Sequence, residues 1–192
     1  LNNEVQRNIK RGMDLMLALI LMVILSPLAL IVSIIIKLES KGPVIFKQMR
    51  IGENMRPFKV YKFRSMRLHD PEKYSKYTLD NDSRVTKFGK FIRKTRIDEL
   101  PQLWNVLMGD MSLVGPRPIV TKEIERYGDY IREYYMVPPG ITGMWQVNGR
   151  SDTTYEERVA MDTWYVRNWS VWIDLVYLFK TVKTVFTGKG AY

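Results

Sequence analysis

The chain predicts an α+β fold, mostly helical: a re-entrant membrane helix, then a polar domain with a small β-hairpin and amphipathic helices lying at an interface. Three observations carry that reading. Leu15 to Ile36 runs for 22 residues without a charge. Val44–Ile51 and Phe58–Met66 flank a polar turn and read as two strands. Several later segments place apolar residues at helical spacing.

The apolar run comes first. A straight helix of that length covers ~33 Å, against ~30 Å of bilayer hydrocarbon, so length alone fits one span. Basic residues stand at both ends, Arg7, Lys10 and Arg11 before and Lys37, Lys41, Lys47 and Arg50 after. A span would put one of these clusters on the wrong face. Pro27 removes the amide that would bond the carbonyl of Val23, and the neighbouring Ser26 hydroxyl is placed to satisfy a freed carbonyl. The Ser26-Pro27 break therefore favours a helix that enters and leaves by one face, with a straight span as the alternative. Residues 1–40 are assigned to this segment and residues 41–192 to the domain that follows.

Gly42-Pro43 separates the two. In the second strand Lys59, Lys62 and Arg64 stand among Phe58, Val60, Tyr61 and Phe63, and Lys59 reads as solvated. Arg67–Lys87 is polar, contains Pro71 and reads as a long loop; Phe88–Lys94 follows as a short basic helix. From Asp98 to Met108 the apolar Leu100, Leu103, Trp104 and Leu107 share one side of a helix that Gly109 ends. A Gly/Pro-rich connection to Pro118 precedes a polar helix over about Lys122–Tyr135, and Ile141–Arg150 reads as strand or loop. Val171–Phe186 is helical, with a broad apolar face including Trp172, Leu175, Val176 and Phe179. That face suits a core or a membrane interface equally.

Composition narrows the chemistry. The chain has no Cys and one His, His69, which excludes disulfides, cysteine-ligated metals, histidine zinc sites and Ser-His-Asp machinery. Neither glycine-rich nucleotide motif is present. A net charge of +10 suits nucleic acid, anionic lipid or a phosphorylated substrate. Beside the apolar run it describes a membrane-surface protein that handles phosphates, with no nucleic-acid partner.

The sharpest local signal is Thr95-Arg96-Ile97-Asp98-Glu99-Leu100-Pro101. With Asp98 as the N-cap, Pro101 falls at the third helical position, where its missing amide costs nothing. The helix terminus and Arg93, Lys94 and Arg96 are expected to hold Asp98 ionised, as a nucleophile or metal ligand requires. Acidic residues at helix starts are also ordinary caps, so this segment alone leaves both roles open. Downstream, Arg117 stands between Pro116 and Pro118, a stiff mount for a guanidinium suited to bidentate phosphate binding.

Taken in order, these segments resemble one family. Lys10-Arg11 followed by Asp14, Ser26-Pro27, Tyr61–Met66, Phe91–Thr95 running into Asp98–Leu103, Asp110–Pro118, Pro139–Gly143 and Gln146–Arg150 are similar to motifs of the monotopic phosphoglycosyl transferases, bacterial sugar transferases. The resemblance covers nearly the whole chain. The stretch from Asp162 to Tyr192 looks most like the galactose-transferring, undecaprenyl-phosphate branch. The resemblance implies transfer of a sugar-1-phosphate from a UDP-sugar to undecaprenyl phosphate, with release of UMP, as the first membrane step of an O-antigen, capsule or exopolysaccharide pathway. Asp98 would attack the β-phosphorus to give an aspartyl phosphosugar, Glu99 would complete the dyad, and both would bind Mg²⁺. Lys62, Arg64, Arg93 and Arg117 match substrate-site motifs, as do the less specific Arg150, Asp152 and Asp162. Arg96-Ile97 stands where relatives often have Ser-Leu and leaves the carboxylates untouched. The family implies attachment to membrane lipid at the cytoplasmic face of the bacterial inner membrane, and the aromatic content leaves room for a homodimer surface.

Overall fold

The structure, a computed structural model, describes residues 4–68, 82–149 and 153–187. Helix α1 runs from Glu4 to Glu39 with Pro27 inside it. The Ser26 hydroxyl donates to the Val23 carbonyl at 2.8 Å, the bond the missing Pro27 amide calls for. Lys10, Asp14, Ala18, Val32 and Ile36 are its buried positions, and their spacing places them along one stripe. Leu19, Val23, Ile24, Leu30 and Ile31 are each more than half exposed. Among the described residues α1 is the one helix long and apolar enough to cross a membrane.

Both ends of α1 are tied to the same body. Near its start, Lys10 Nζ donates to Asp174 Oδ2 at 2.6 Å and to the Val114 carbonyl at 3.0 Å. Arg11 donates to the carbonyls of Val106 and Leu107. Near its end, Glu39 accepts from the Phe88 amide at 3.0 Å. The body therefore flanks the helix along most of its length.

Strands β1 (Ile45–Ile51) and β2 (Pro57–Phe63) form the predicted antiparallel hairpin, with Ile45 opposite Phe63 and Ile51 opposite Pro57. Phe58, Val60 and Phe63 are buried and Lys59 is exposed, as read. Of the predicted loop, residues 69–81 lie outside the described residues, as does His69; the Arg67 amide bonds the Arg84 carbonyl beyond them. Helix α2 (Lys87–Lys94) starts where Thr86 Oγ1 accepts from the Gly89 amide.

The predicted helix over Asp98–Met108 is corrected. Ile97–Glu99 forms a single 3₁₀ turn, and α3 spans only Gln102–Met108, with Pro101 rather than Asp98 as its N-cap. Proline is the cause. Pro101 has no amide to bond the Ile97 carbonyl, so the Leu100 amide takes it at 3.1 Å in a tighter turn. Gly109 ends α3 at φ 89°, the left-handed cap expected of it.

Strand β3 (Ser112–Val114) pairs in parallel with β4 (Gly140–Thr142). The two approach closely enough that a Cβ on Gly140 would stand 2.1 Å from the Gly115 nitrogen, so only glycine fits there. The polar helix predicted over Lys122–Tyr135 is broken into short pieces, including α4 (Ile124–Tyr127) and α5 (Ile131–Tyr134). Gly128 interrupts it at φ 52°, ψ −133°, outside any helical conformation. The stretch read as strand or loop after Gly140 holds β4 and then α6 (Met144–Asn148).

Helix α7 (Tyr155–Asn168) was not anticipated, although its capping box is legible: Thr154 accepts from the Glu157 amide, and Glu157 returns the bond. Helix α8 (Val171–Thr187) carries the final apolar face. Asp174 and Tyr177 are buried, whereas Trp172 is 72 % and Phe179 76 % exposed. The aromatic face points outward. One core gathers Ala18, Phe58, Val106, Met111 and Tyr165, and a second gathers Val32, Ile36, Phe63 and Ile92.

Candidate active site

The corner between α2 and α3 sets the site. Arg96 adopts the left-handed conformation, φ 59° and ψ 15°, and turns the chain so that Asp98 and Glu99 both enter the protein. Lys62, on β2, donates to Glu99 Oε1 at 2.7 Å. Arg117 Nη1 stands 3.8 Å from the same oxygen, and Arg96 Nη1 stands 3.6 Å from Oε2. Three cations from three segments thus converge on one carboxylate.

The two adjacent acids titrate in opposite directions. Burial alone would raise Glu99, but the charges of Lys62, Arg117 and Arg96 reverse it to about 2. Burial, and then the Glu99 charge, raise Asp98 to about 6 against the pull of Lys62, Arg93 and Arg96. The surroundings thus raise the Asp98 carboxyl rather than lower it, against the sense expected of the nearby cations. The nearby cations are largely committed to Glu99, so Asp98 carries a desolvated charge with little direct compensation. It is ionised near neutrality and takes up a proton at higher pH than an ordinary carboxyl.

The other predicted residues separate. Arg93 is exposed on α2, close enough to lower Asp98. Lys62 and Arg117 meet at Glu99. Arg64 does not join them. It is 5 % exposed, and its guanidinium donates to the Ser40 and Lys41 carbonyls at 2.7 and 2.6 Å, closing the end of α1. Asp162 also turns inward: it is 2 % exposed and accepts from the Tyr127 hydroxyl at 2.7 Å. Burial raises its carboxyl to about 6 despite Arg158 beside it. Arg150 and Asp152 lie outside the described residues.

Two residues missed in the sequence line the same cavity as Lys62, Glu99 and Arg117. They are Arg50, at the end of β1, and Gln102, at the start of α3. Gln102 follows the dyad at a spacing that was readable; Arg50 is brought in only by the hairpin register. Beside the dyad, an apolar groove of about 900 Å³ runs between α1 and the hairpin, past Met22, Ser26, Ala29 and Trp104. Its wall includes Leu100 and Pro101, the two residues directly after Glu99.

A divalent metal fits in one limited way. Asp98 and Glu99 offer hard oxygen donors, and no cluster of three or more metal-binding side chains occurs among the described residues. Two carboxylates, one already engaged by three cations, match a Mg²⁺ ion held mainly by substrate phosphates and water.

Residues 5–188 match the family model described as bacterial sugar transferase. The chain belongs to that family. It is 44% identical to undecaprenyl-phosphate galactose phosphotransferase of Salmonella typhimurium, over 100% of the chain and 44% of the relative's length. It is 45% identical to UDP-glucose:undecaprenyl-phosphate glucose-1-phosphate transferase of Escherichia coli, over 98% of the chain and 42% of the relative. A shorter relative, exopolysaccharide production protein ExoY of Rhizobium meliloti, is 41% identical over 95% of the chain and 88% of its own length. The chain thus spans less than half the length of the first two relatives and most of the third. Its long apolar helix and these relatives are consistent with membrane association.

Proposed function

We propose that the transferase moves a sugar-1-phosphate from a UDP-sugar to undecaprenyl phosphate, with galactose the favoured sugar, as the first membrane step of a surface glycoconjugate pathway. The observation that carries this reading is the dyad itself: two adjacent buried carboxylates with opposed titration, ringed by Lys62, Arg93, Arg96 and Arg117. Such a ring suits a diphosphate, whose transfer needs an in-line nucleophile and positive charge on the equatorial oxygens.

In the proposed reaction an Asp98 carboxylate oxygen attacks the β-phosphorus. The new bond forms as the bond from that phosphorus to the bridging oxygen of UMP breaks, and the electron pair leaves on UMP. A phosphate oxygen of the lipid then attacks the same phosphorus and releases the Asp98 carboxylate. No proton need move in either step. Arg117 and Lys62, held together by Glu99, orient the transferred phosphoryl group, while Arg93 and Arg96 balance the incoming charge. Mg²⁺, when bound, neutralises part of the charge on the substrate phosphates.

The acceptor is placed by its two chemistries. The isoprenoid tail suits the apolar groove beside Leu100 and Pro101, which would bring its phosphate to Asp98. The exposed faces of α1 and α8 suit one leaflet, because both ends of α1 are bonded to a single body. We therefore read the transferase as monotopic, with α1 re-entrant at the cytoplasmic face of the inner membrane.

A panel of UDP-sugars offered with undecaprenyl phosphate, scored by UMP release, tests the activity. Release with UDP-galactose above other sugars supports the reading, and no release with any sugar contradicts it. For topology, a tag ahead of Leu1 is expected to resist an impermeant label in intact cells and to react after permeabilisation. Labelling from outside would exclude the re-entrant arrangement.

A further inference from the structure

The Pro116-Arg117-Pro118 segment raises a physical problem that its neighbours solve. Two of its three residues lack an amide hydrogen, so the backbone carrying Arg117 is positioned largely through its carbonyls. All three carbonyls are engaged, each from a different part of the fold. The Gly140 amide bonds Pro116 at 2.8 Å, Arg158 Nη2 reaches Arg117 at 3.4 Å, and Arg50 Nη1 reaches Pro118 at 3.1 Å.

One carboxylate joins the two guanidiniums. Glu123 Oε1 accepts from Arg158 Nη1 at 2.9 Å, and its Oε2 lies 3.5 Å from Arg50 Nη1 while accepting from the Val120 amide at 2.8 Å. Asp162 backs Arg158 from the far side, 3.7 Å from its Nε. Arg158 and Arg117 also lie 4.9 and 5.7 Å from the centre of the Trp145 ring. Arg50, Glu123 and Arg158 come from β1, a 3₁₀ turn and α7, so the arrangement is made by the tertiary fold.

We infer that Arg50, Glu123 and Arg158 form a clamp of positioning residues that fixes Arg117 at diphosphate-binding distance beside Glu99. The clamp rests on the reading of Arg117 as a ligand of a nucleoside diphosphate. It has a physical rationale: three guanidiniums so close together repel, and Glu123 lets two of them hold the third without competing for its substrate. Misplacing an oriented group by about 1 Å costs on the order of a hundredfold, so a partial release of the loop has a large measurable effect.

The test is a double-mutant cycle on UDP binding, measured by calorimetry on the full chain in detergent. Glu123→Gln is expected to weaken UDP binding by about tenfold when Arg117 is present. In an Arg117→Ala background the same change is expected to cost less than about twofold, because the group it positions is gone. Equal losses in the two backgrounds would mean that Glu123 acts only through general stability, and would overturn the clamp. Arg50→Gln, at the cavity edge, is expected to show the same dependence on Arg117 and decides the matter if Glu123→Gln does not fold. A wild-type chain that binds no UDP also overturns it. UMP release, measured alongside, separates the two readings. Coupled UDP binding without turnover would reject phosphosugar transfer and keep the clamp, and normal turnover with additive losses would reject the clamp alone.

Discussion

Asp98→Asn is expected to abolish UMP release, by about a thousandfold or more, while making the folded protein more stable. The first effect follows from losing the proposed nucleophile. The second follows from the site's electrostatics. Asp98 titrates at about 6 in the folded protein, above its ordinary 3.8, because it is buried beside Glu99. Between those two pH values the folded state holds a proton that the unfolded chain has released, so stability falls as pH rises through the window. Above about 6 the cost is complete, about 3 kcal/mol for a shift of roughly two units. Asparagine removes the charge and with it most of that cost. Thermal unfolding in detergent should therefore show a gain at pH 8 that shrinks as pH falls from 6 toward 4. A variant that loses turnover and stability together would show that Asp98 is chiefly a structural residue.

Glu99→Gln is expected to do the reverse to stability. The Glu99 carboxyl sits at about 2, below its ordinary 4.5, because Lys62, Arg117 and Arg96 outweigh its burial. Its contribution is fully present above pH 4.5 and is lost as pH falls toward 2. Glutamine leaves three cations facing each other without their counter-charge, at a cost of about 3 kcal/mol near neutrality. Turnover should drop about a hundredfold as Lys62 and Arg117 lose their common anchor. There is also a specific signature. In the wild type the acid limb of the rate profile should fall near pH 6, where Asp98 protonates. Removing the Glu99 charge removes one of the two causes that raise Asp98, so in the variant this limb should move to lower pH. An unmoved limb would mean that Asp98 does not control the reaction's pH dependence.

Much of the scaffold was legible because it depends on local chemistry. The hairpin followed from two apolar-rich runs around the Gly52–Pro57 turn, and the left-handed stop of α3 from Gly109. The bond from Ser26 to Val23 followed from what Pro27 takes away. Local chemistry also explains one miss, since the Thr154–Glu157 capping box that opens α7 was present and unread. The start of α3 failed for a subtler reason: a proline tolerated within a first turn can still delay the helix by drawing the preceding carbonyl into a 3₁₀ turn.

The site was legible where its residues are neighbours in sequence and obscure where they are not. Asp98, Glu99 and Arg117 stood out by their local company. Arg50 and Arg158 belong to distant elements, and nothing local distinguishes them from solvated cations. Arg64 shows the opposite case, a basic residue in a basic strand that spends its donors on the end of α1. Which charge faces a substrate and which closes a helix is decided by packing, after the sequence pattern has been satisfied.

The account turns on Asp98 as a covalent carrier of the phosphosugar. Intact-mass measurement of the purified protein, incubated with UDP-galactose in the absence of undecaprenyl phosphate, tests this directly. The prediction is a protein heavier by one hexose phosphate, modified on the peptide containing Asp98. The adduct should disappear when undecaprenyl phosphate is added and never form in Asp98→Asn. Turnover in the full reaction with no adduct, and with UMP appearing only after the lipid acceptor is added, would contradict it.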